Sequence, residues 1–388
     1  MAAAFTFGSK GALAFLVGGL LALCGSPATR AGDDAESVAS VITRLRVQEA
    51  PQPVRERKQW RTPKKVVLLA FGTAGWAGQE EKLAAAAPKA QLVVAKDLAS
   101  AQAASVDADV IVGFNPDICS PKIIDNAKQL RWISSLAAGV ELCMAIPSVR
   151  SRDLLVTNMR GVDSAAIAEH AVALTMALAH GIDVFAVDTS KGEWSREHAA
   201  RTPMQVLEGK TMLVVGLGGI GTEVAMRAHG LGMKVVATRD NDRSKPDFVN
   251  YVGLANEMPT LAKTADVIVN CVPLTPQTTG MYNAAFFATL KPTAYFINVA
   301  RGASAVTADL TNALNEHRIA GAGLDVVDPE PLPPDNPLWH APHVIISPHI
   351  SSRSDLPGQA RWILAAEYLR RYANGEKMLS VVDLNKGY

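Results

Sequence analysis

The sequence predicts an α/β protein built of two doubly wound parallel-sheet domains. Three observations point to it. Short, continuously apolar runs are bounded by turn residues, as in strands buried on both faces. The intervals between them are long enough for crossover helices. The whole series then repeats after one long helical stretch. The 388 residues suit two domains, and 48% hydrophobic with 19% charged residues is a globular composition rather than a disordered one. The 38 Lys+Arg against 37 Asp+Glu leave a net charge of +1. No cationic surplus exists to displace counterions from a polyanion, so no nucleic acid partner is expected. Aromatics at 6% disfavour a stacking platform for single strands. Cys24, Cys119, Cys143 and Cys271 lie far apart with no C-x-x-C pair. That excludes a disulfide-dense scaffold and a cysteine-built zinc site, and no metal is expected.

Lys10 precedes an apolar run from Gly11 to Gly25, followed by small residues and a cleavage site at Thr29-Arg30-Ala31. The run is short of the roughly 20 residues that span a bilayer. A charged start, short apolar middle and small-residue exit read as a signal peptide over 1–31. They predict an exported protein, periplasmic or secreted, with no membrane attachment after cleavage. The alternative is an uncleaved leader acting as an anchor. Residues 32–63 carry Pro51, Pro53 and Pro63 among mixed charges. They read as a linker with at most one short helix near Val38–Val47.

The first strand series is Val66–Phe71, Leu92–Ala95, Val110–Val112, Leu130–Ser134 and Leu154–Thr157. A helix is predicted from Ser164, a good N-cap, to Gly181, a good stop. The second series is Met212–Val215, Lys234–Ala237, Val267–Val272, Tyr295–Val299, Gly323–Val326 and Val344–Ile346. Two such series predict two domains with a cleft between them. Ligands of these sheets bind beyond the carboxyl ends of the strands.

Gly216-Leu217-Gly218-Gly219-Ile220-Gly221 follows a strand and opens a helix. A lone G-x-G-x-x-G says little, but strand, glycines and helix stand here in the order a dinucleotide needs. Gly216 permits a tight turn, Gly218 lets the backbone approach a pyrophosphate, and Gly221 lets the helix pack on the strand. The helix amino end offers N–H groups and a positive dipole to the phosphates. An NAD site places an acid at the end of the second strand, to bind the ribose 2′-hydroxyl. Arg239 stands there, with Arg243 and Lys245 close behind. An arginine pairs with a 2′-phosphate instead, so NADP is the expected cofactor. NAD is the alternative, with Asp240 taking the acid's role after a one-residue shift.

Three strand ends of the second series carry chemistry. Arg301 lies in Asn298–Gly302, Glu330 in Asp325–Leu332, and His349 in Ser347–Ile350. Together they suit reduction of a 2-keto acid. Arg301 can hold the carboxylate with a planar fork. His349 can protonate the developing alkoxide, and Glu330 can fix its tautomer and favour the imidazolium. Each residue taken singly is more often structural than catalytic. His170 and His180 lie inside the long helix and read as structural, and His340 and His343 have no evident partner. Phe114, Asn115 and Leu136 are candidate pocket residues.

From about Val66 to Leu384 the chain resembles the D-isomer-specific 2-hydroxyacid dehydrogenase family. The resemblance rests on Gly216–Gly221 with Ala225 and Gly232-Met233, and on Val272–Thr278, Asn298–Gly302, Leu324–Leu332 and Ser347–Ile350. It implies that Arg301, Glu330 and His349 form the catalytic set. It implies a Rossmann nucleotide-binding domain (158–351) inserted into a flavodoxin-like substrate domain (64–157 and 352–388), the latter completed by a helix over Leu356–Asn374. Cofactor contacts are implied at Gly216, Gly218, Gly219, Ile220, Gly221, Val272, Pro273, Thr278 and Ala300. Asp325 would bind the nicotinamide amide. Backbone N–H groups at Ala138, Gly139 and Val140 would hold a small 2-keto or 2-hydroxy acid, and the helix from Ser164 would join a homodimer. The expected activity is that of a glyoxylate or hydroxypyruvate reductase. A phosphoglycerate or phosphite dehydrogenase is an alternative, as is a nucleotide-sensing module of the same fold without turnover.

Overall fold

The computed structural model describes residues 36–71, 76–114, 116–354 and 357–388. The signal peptide expected over 1–31, and the candidate Asn115, lie outside the described residues. Among those described, no single helix is long and apolar enough to cross a membrane.

The first sheet comprises β2 (Lys65–Leu69), β3 (Gln91–Ala95), β4 (Val110–Gly113), β5 (Trp132–Ser135) and β6 (Leu155–Thr157); β1 (Glu49–Pro53) precedes it. Its order is β3-β2-β4-β5-β6, every pair parallel. This is the flavodoxin-like order. Alternate residues feed two cores: Val66 and Leu68 face one side, Val67 and Leu69 the other. A strand apolar at every position is the outcome of that double burial.

The second sheet comprises β7 (Thr211–Val215), β8 (Lys234–Arg239), β9 (Tyr251–Leu254), β10 (Val267–Asn270), β11 (Tyr295–Asn298), β12 (Gly321–Leu324) and β13 (Val344–Ile346). The order β13-β12-β11-β10-β7-β8-β9 reverses between β7 and β10. That reversal opens a crevice where the glycine-rich turn leaves β7. The helix Ser164–Ala179 packs on this sheet through Ile167, Ala171, Leu174 and Leu178. Asp163, rather than Ser164, stands at its cap position, and Arg361 grips the Asp163 carboxylate at 2.7 and 2.9 Å. Gly181 ends the helix in the left-handed conformation, φ 63°, as expected of a stop.

The chain then returns to the first domain. The helix Pro357–Asn374 buries Trp362, Leu364, Tyr368 and Tyr372 against Val66, Leu68 and Trp132. Its expected first residue, Leu356, lies outside the described residues.

Two expectations need correction, and one strand has no counterpart among them. The linker expected over 32–63 is, from Val38 onward, part of the first domain. The helix Val38–Arg44 and the turn Val54–Glu56 bury Val41 and Val54 in its core, and β1 pairs antiparallel with β14 (Lys377–Leu379). Pro51 and Pro53 disfavour helix over Glu49–Pro53, yet an edge strand tolerates them. The strand expected at Gly323–Val326 begins two residues earlier, at Gly321. A Cβ on Gly321 would lie 2.7 Å from the His343 carbonyl, and one on Gly323 2.8 Å from the Leu174 Cβ. The long helix comes so close that only glycine fits, and glycine hides the strand from a hydrophobicity pattern. β9 was not foreseen, because an edge strand of four residues with an exposed Tyr251 has no apolar run.

Cys119 and Cys143 form a disulfide across 24 residues. It joins the loop after β4 to the helix Glu141–Met144. Cys271 is a free thiol, and burial pushes its pKa up to about 12, which leaves it inert.

Candidate active site

The glycines of the first βα turn each have a stereochemical reason. Gly216 has φ +95°, and a Cβ there would lie 2.8 Å from Val272 Cγ1. A Cβ on Gly221 would lie 2.0 Å from the Gly216 carbonyl, whereas Gly218 faces open space. Gly219 sits under Ser164, whose Oγ would meet a Cβ at 2.9 Å. Gly218 caps the helix Gly219–Gly230 without any side-chain hydrogen bond. The first N–H groups of a helix have no partner within it, and with open space beside Gly218 they fit a pyrophosphate. The residues present therefore suit a dinucleotide.

Beyond it, β8 ends on Arg239, whose Nη1 meets Asp242 Oδ2 at 3.3 Å. Arg243 and Lys245, expected to add charge at this point, are turned to other partners. Arg243 binds Glu257 at 2.6 Å and the Tyr251 hydroxyl at 2.8 Å; Lys245 donates to the Val249 carbonyl. On the opposite wall, the Thr278 hydroxyl donates to the Pro273 carbonyl at 2.7 Å and shapes the loop that begins at Val272. Ala300 is buried, its N–H donated to Asn298 Oδ1.

Arg301 follows β11. Its carbonyl accepts from Ser304 Oγ at 2.6 Å and Asn298 Nδ2 at 3.0 Å. Asn298 and Ser304 are tied in turn to the buried Asn270, which also receives the Tyr282 hydroxyl. This polar cluster escaped sequence reasoning, because asparagines at strand ends look like turn formers. The guanidinium points across the cleft. Nη1 donates to the Ala300 carbonyl at 2.7 Å; Nε and Nη2 meet the two oxygens of Glu141 at 3.1 and 3.3 Å. Glu141 is a second residue that the motifs did not single out. A Cβ on Gly139 would fall 1.9 Å from Arg301 Nη2, so a side chain at this point of the 138–140 loop would have to displace the guanidinium. Ala138 is held by Asn158, whose Nδ2 donates to its carbonyl at 2.7 Å, and Val140 is buried.

Gly302 packs so closely on the next loop that a Cβ would lie 1.8 Å from the Val327 carbonyl. This contact joins the arginine's turn to the one carrying Glu330. Glu330 Oε1 accepts the Val327 N–H at 3.2 Å, and Oε2 lies 2.9 Å from His349 Nδ1. Among the described residues no hydrogen bond occupies His349 Nε2. The ring's outer nitrogen is therefore left for a ligand.

Asp325 lies beneath this pair with its side chain fully buried. It accepts from Ser347 Oγ at 2.7 Å and from the N–H groups of Ile350 and Ser351 at 2.9 and 3.0 Å. Burial pushes its carboxyl up, but the bonds from Ser351, Ser347 and Ile350 outweigh that and hold it below the ordinary range. Asp325 so organises the turn that presents His349, whose own N–H donates to the Asp325 carbonyl. His170 braces the same turn through Ser347 at 2.8 Å, a structural role as expected. His343, expected to lack a partner, pairs with Asp183 at 3.0 Å. Leu136 is fully buried in the core rather than at a pocket wall. Phe114 lies under the Arg361 guanidinium, 5.2 Å from its ring centre.

A dinucleotide turn on one sheet, the 138–140 loop laid against an arginine from the other, and a histidine–carboxylate pair at the rim fit a class: nicotinamide-linked oxidoreductases of 2-hydroxy acids. The comparisons with known proteins narrow it. The family described as "D-isomer specific 2-hydroxyacid dehydrogenase, NAD binding domain" matches residues 172–351. The glyoxylate reductase of Thermococcus litoralis is 34% identical over 277 residues, covering 70% of this chain and 82% of the relative. A D-isomer specific 2-hydroxyacid dehydrogenase from Xanthobacter autotrophicus, solved with NADPH and MES, is similar with a TM-score of 0.70 at 27% identity, over 84% of this chain and 100% of that one. An NADPH-dependent glyoxylate/hydroxypyruvate reductase from Sinorhizobium meliloti, solved with NADP and sulfate, gives 0.69 at 25% identity over the same shares. The chain belongs to the D-isomer-specific 2-hydroxyacid dehydrogenase family, and its chemistry is NAD(P)-linked reduction of keto acids.

Proposed function

We propose that the chain is an NADP-preferring reductase of glyoxylate or hydroxypyruvate, with Arg301, Glu330 and His349 as its catalytic set. The observation that carries the reading is the 2.9 Å contact between His349 Nδ1 and Glu330, on the same rim as Arg301. Arg301 and the N–H groups of the 138–140 loop hold the substrate carboxylate. His349 Nε2 donates a proton to the carbonyl oxygen as it becomes an alkoxide. Glu330 stabilises the imidazolium before that transfer. The nicotinamide, when bound, supplies the hydride. Keto acid, NADPH and one proton give hydroxy acid and NADP⁺. Arg239 at the end of β8 supports the 2′-phosphate preference. The test is a panel of 2-keto acids run with NADPH and with NADH. Glyoxylate and hydroxypyruvate turning over fastest with NADPH is the expected result. Tight cofactor binding without turnover of any acid would favour a sensing module instead.

Export is part of the same proposal. It is supported by the leader pattern at 1–31 and by the Cys119–Cys143 disulfide, a bond that persists in oxidising compartments. Mass analysis of protein recovered outside the cytoplasm should find the leader removed and one free thiol. A homodimer is supported by the arm after the long helix. There Ile182, Val187, Trp194, Met204 and Val206 stand exposed, Trp194 at 91%, and such clustered apolar surface marks an interface. Light scattering should give twice the chain mass, and Trp194→Glu should give monomers.

A further inference from the structure

The segment after β14 belongs to the substrate-side sheet but reaches the other domain. Val382 donates its N–H to the Val156 carbonyl at the edge of β6. Residues 383–388 then fold into a turn around Asp383, whose Oδ1 accepts the Asn385 and Lys386 N–H groups and whose carbonyl accepts that of Gly387. From this turn Lys386 Nζ meets Asp240 Oδ2 at 3.2 Å, and the Tyr388 hydroxyl lies 3.5 Å from the same oxygen. The Tyr388 ring is backed by the Arg160 guanidinium at 5.7 Å.

Asp240 is the residue after β8, where a dinucleotide's adenosine ribose is recognised. Its neighbours are paired: Arg239 with Asp242, and Arg243 with Glu257. Two carboxylates follow β8 within three residues, Asp240 and Asp242, and each is opposed by one cation. Arg239 supplies one charge from its own loop, and Lys386 supplies the other from across the cleft. Without Lys386, Asp240 would be an uncompensated carboxylate, repelling a 2′-phosphate and offering an acceptor to a 2′-hydroxyl. An exposed pair such as this adds little to folding stability, so its consequence falls on what binds beside it.

We infer that Lys386 is a determinant of cofactor specificity: by neutralising Asp240 it turns an acid suited to NAD into part of a site that admits the 2′-phosphate of NADP. The inference rests on the NADP reading above, and 2′,5′-ADP and 5′-AMP serve as probes that separate the two. Calorimetric titration of the wild-type protein should show tighter binding of 2′,5′-ADP. Lys386→Ala should weaken 2′,5′-ADP by about tenfold, the weight of a charge-assisted contact, and leave 5′-AMP unchanged or tighter. Adding Asp240→Asn to Lys386→Ala should restore 2′,5′-ADP binding, because the charge that Lys386 balances is then gone. KM for NADPH should follow the same order while that for NADH does not rise. Equal wild-type affinity for the two probes would overturn the NADP reading. A wild-type preference that survives Lys386→Ala, or a double variant that fails to recover, would overturn the role of Lys386 alone.

Discussion

The two ends of β13 each carry a histidine–carboxylate pair, and the two differ in what they face. His343, just before the strand, meets Asp183 at 3.0 Å; His349, beyond it, meets Glu330 at 2.9 Å. Both histidines are held in the left-handed backbone region, at φ 50° and 51°. Contact length and backbone are thus nearly identical. Exposure separates them. The side chains of His343 and Asp183 are 29% and 11% exposed, those of His349 and Glu330 49% and 38%. The first pair ties the arm's leading helix to the amino end of the strand. The second opens onto the cleft at the carboxyl end, where sheets of this kind bind ligands. A close imidazole–carboxylate contact therefore says nothing of catalysis until the other ring nitrogen is shown to have somewhere to act.

The largest expected effect breaks the comparison outright. His349→Ala should lower kcat by about 10³-fold, within the range of a lost general acid, while NADPH binding followed by fluorescence persists. His343→Ala should leave kcat within about twofold, since its ring reaches no substrate; comparable losses in both would mean that the two ends do not differ. Next, Glu330→Gln should cost roughly 10²-fold in kcat, because the imidazolium loses its counter-charge. Asp183→Asn should leave kcat unchanged. A fifth substitution sharpens the picture on the opposite wall. Gly139→Ala drives a methyl group into Arg301 Nη2, so KM for the keto acid should rise about tenfold or more, with cofactor affinity unchanged. The smallest effect is on stability. The Asp183 hydrogen bond raises the His343 pKa above its ordinary 6.5, against an opposing contribution from burial. A raised folded-state pKa means that the pair's stability is complete below pH 6.5 and lost as pH rises through the raised value. Thermal melts across that interval should fall by the equivalent of about 1 kcal/mol or less, and Asp183→Asn should flatten the dependence.

Much of the architecture was legible because doubly buried strands announce themselves. Val66–Leu69 and Met212–Val215 are apolar at every position, and both are strands. The glycine turn was legible for the same reason that it works: each glycine answers a contact or an opening. What stayed hidden had its signal cancelled or split. β12 is half glycine and so lacks an apolar run. The early segment reads as a linker with one short helix, and the helix is there at Val38–Arg44; what its prolines hide is the strand Glu49–Pro53. Glu141 is an ordinary surface acid until the fold lays Arg301 beside it. Asp325 reads from the sequence as a ligand-binding acid at a strand end; its three hydrogen-bond donors, through which it supports His349's turn, appear only in the fold.

The disulfide has a mechanical consequence. Cys119 and Cys143 hold the loop after β4 and the helix after the substrate loop with their Cα atoms 4.5 Å apart, so these two segments cannot swing away from each other. One lip of the cleft is thereby made stiff.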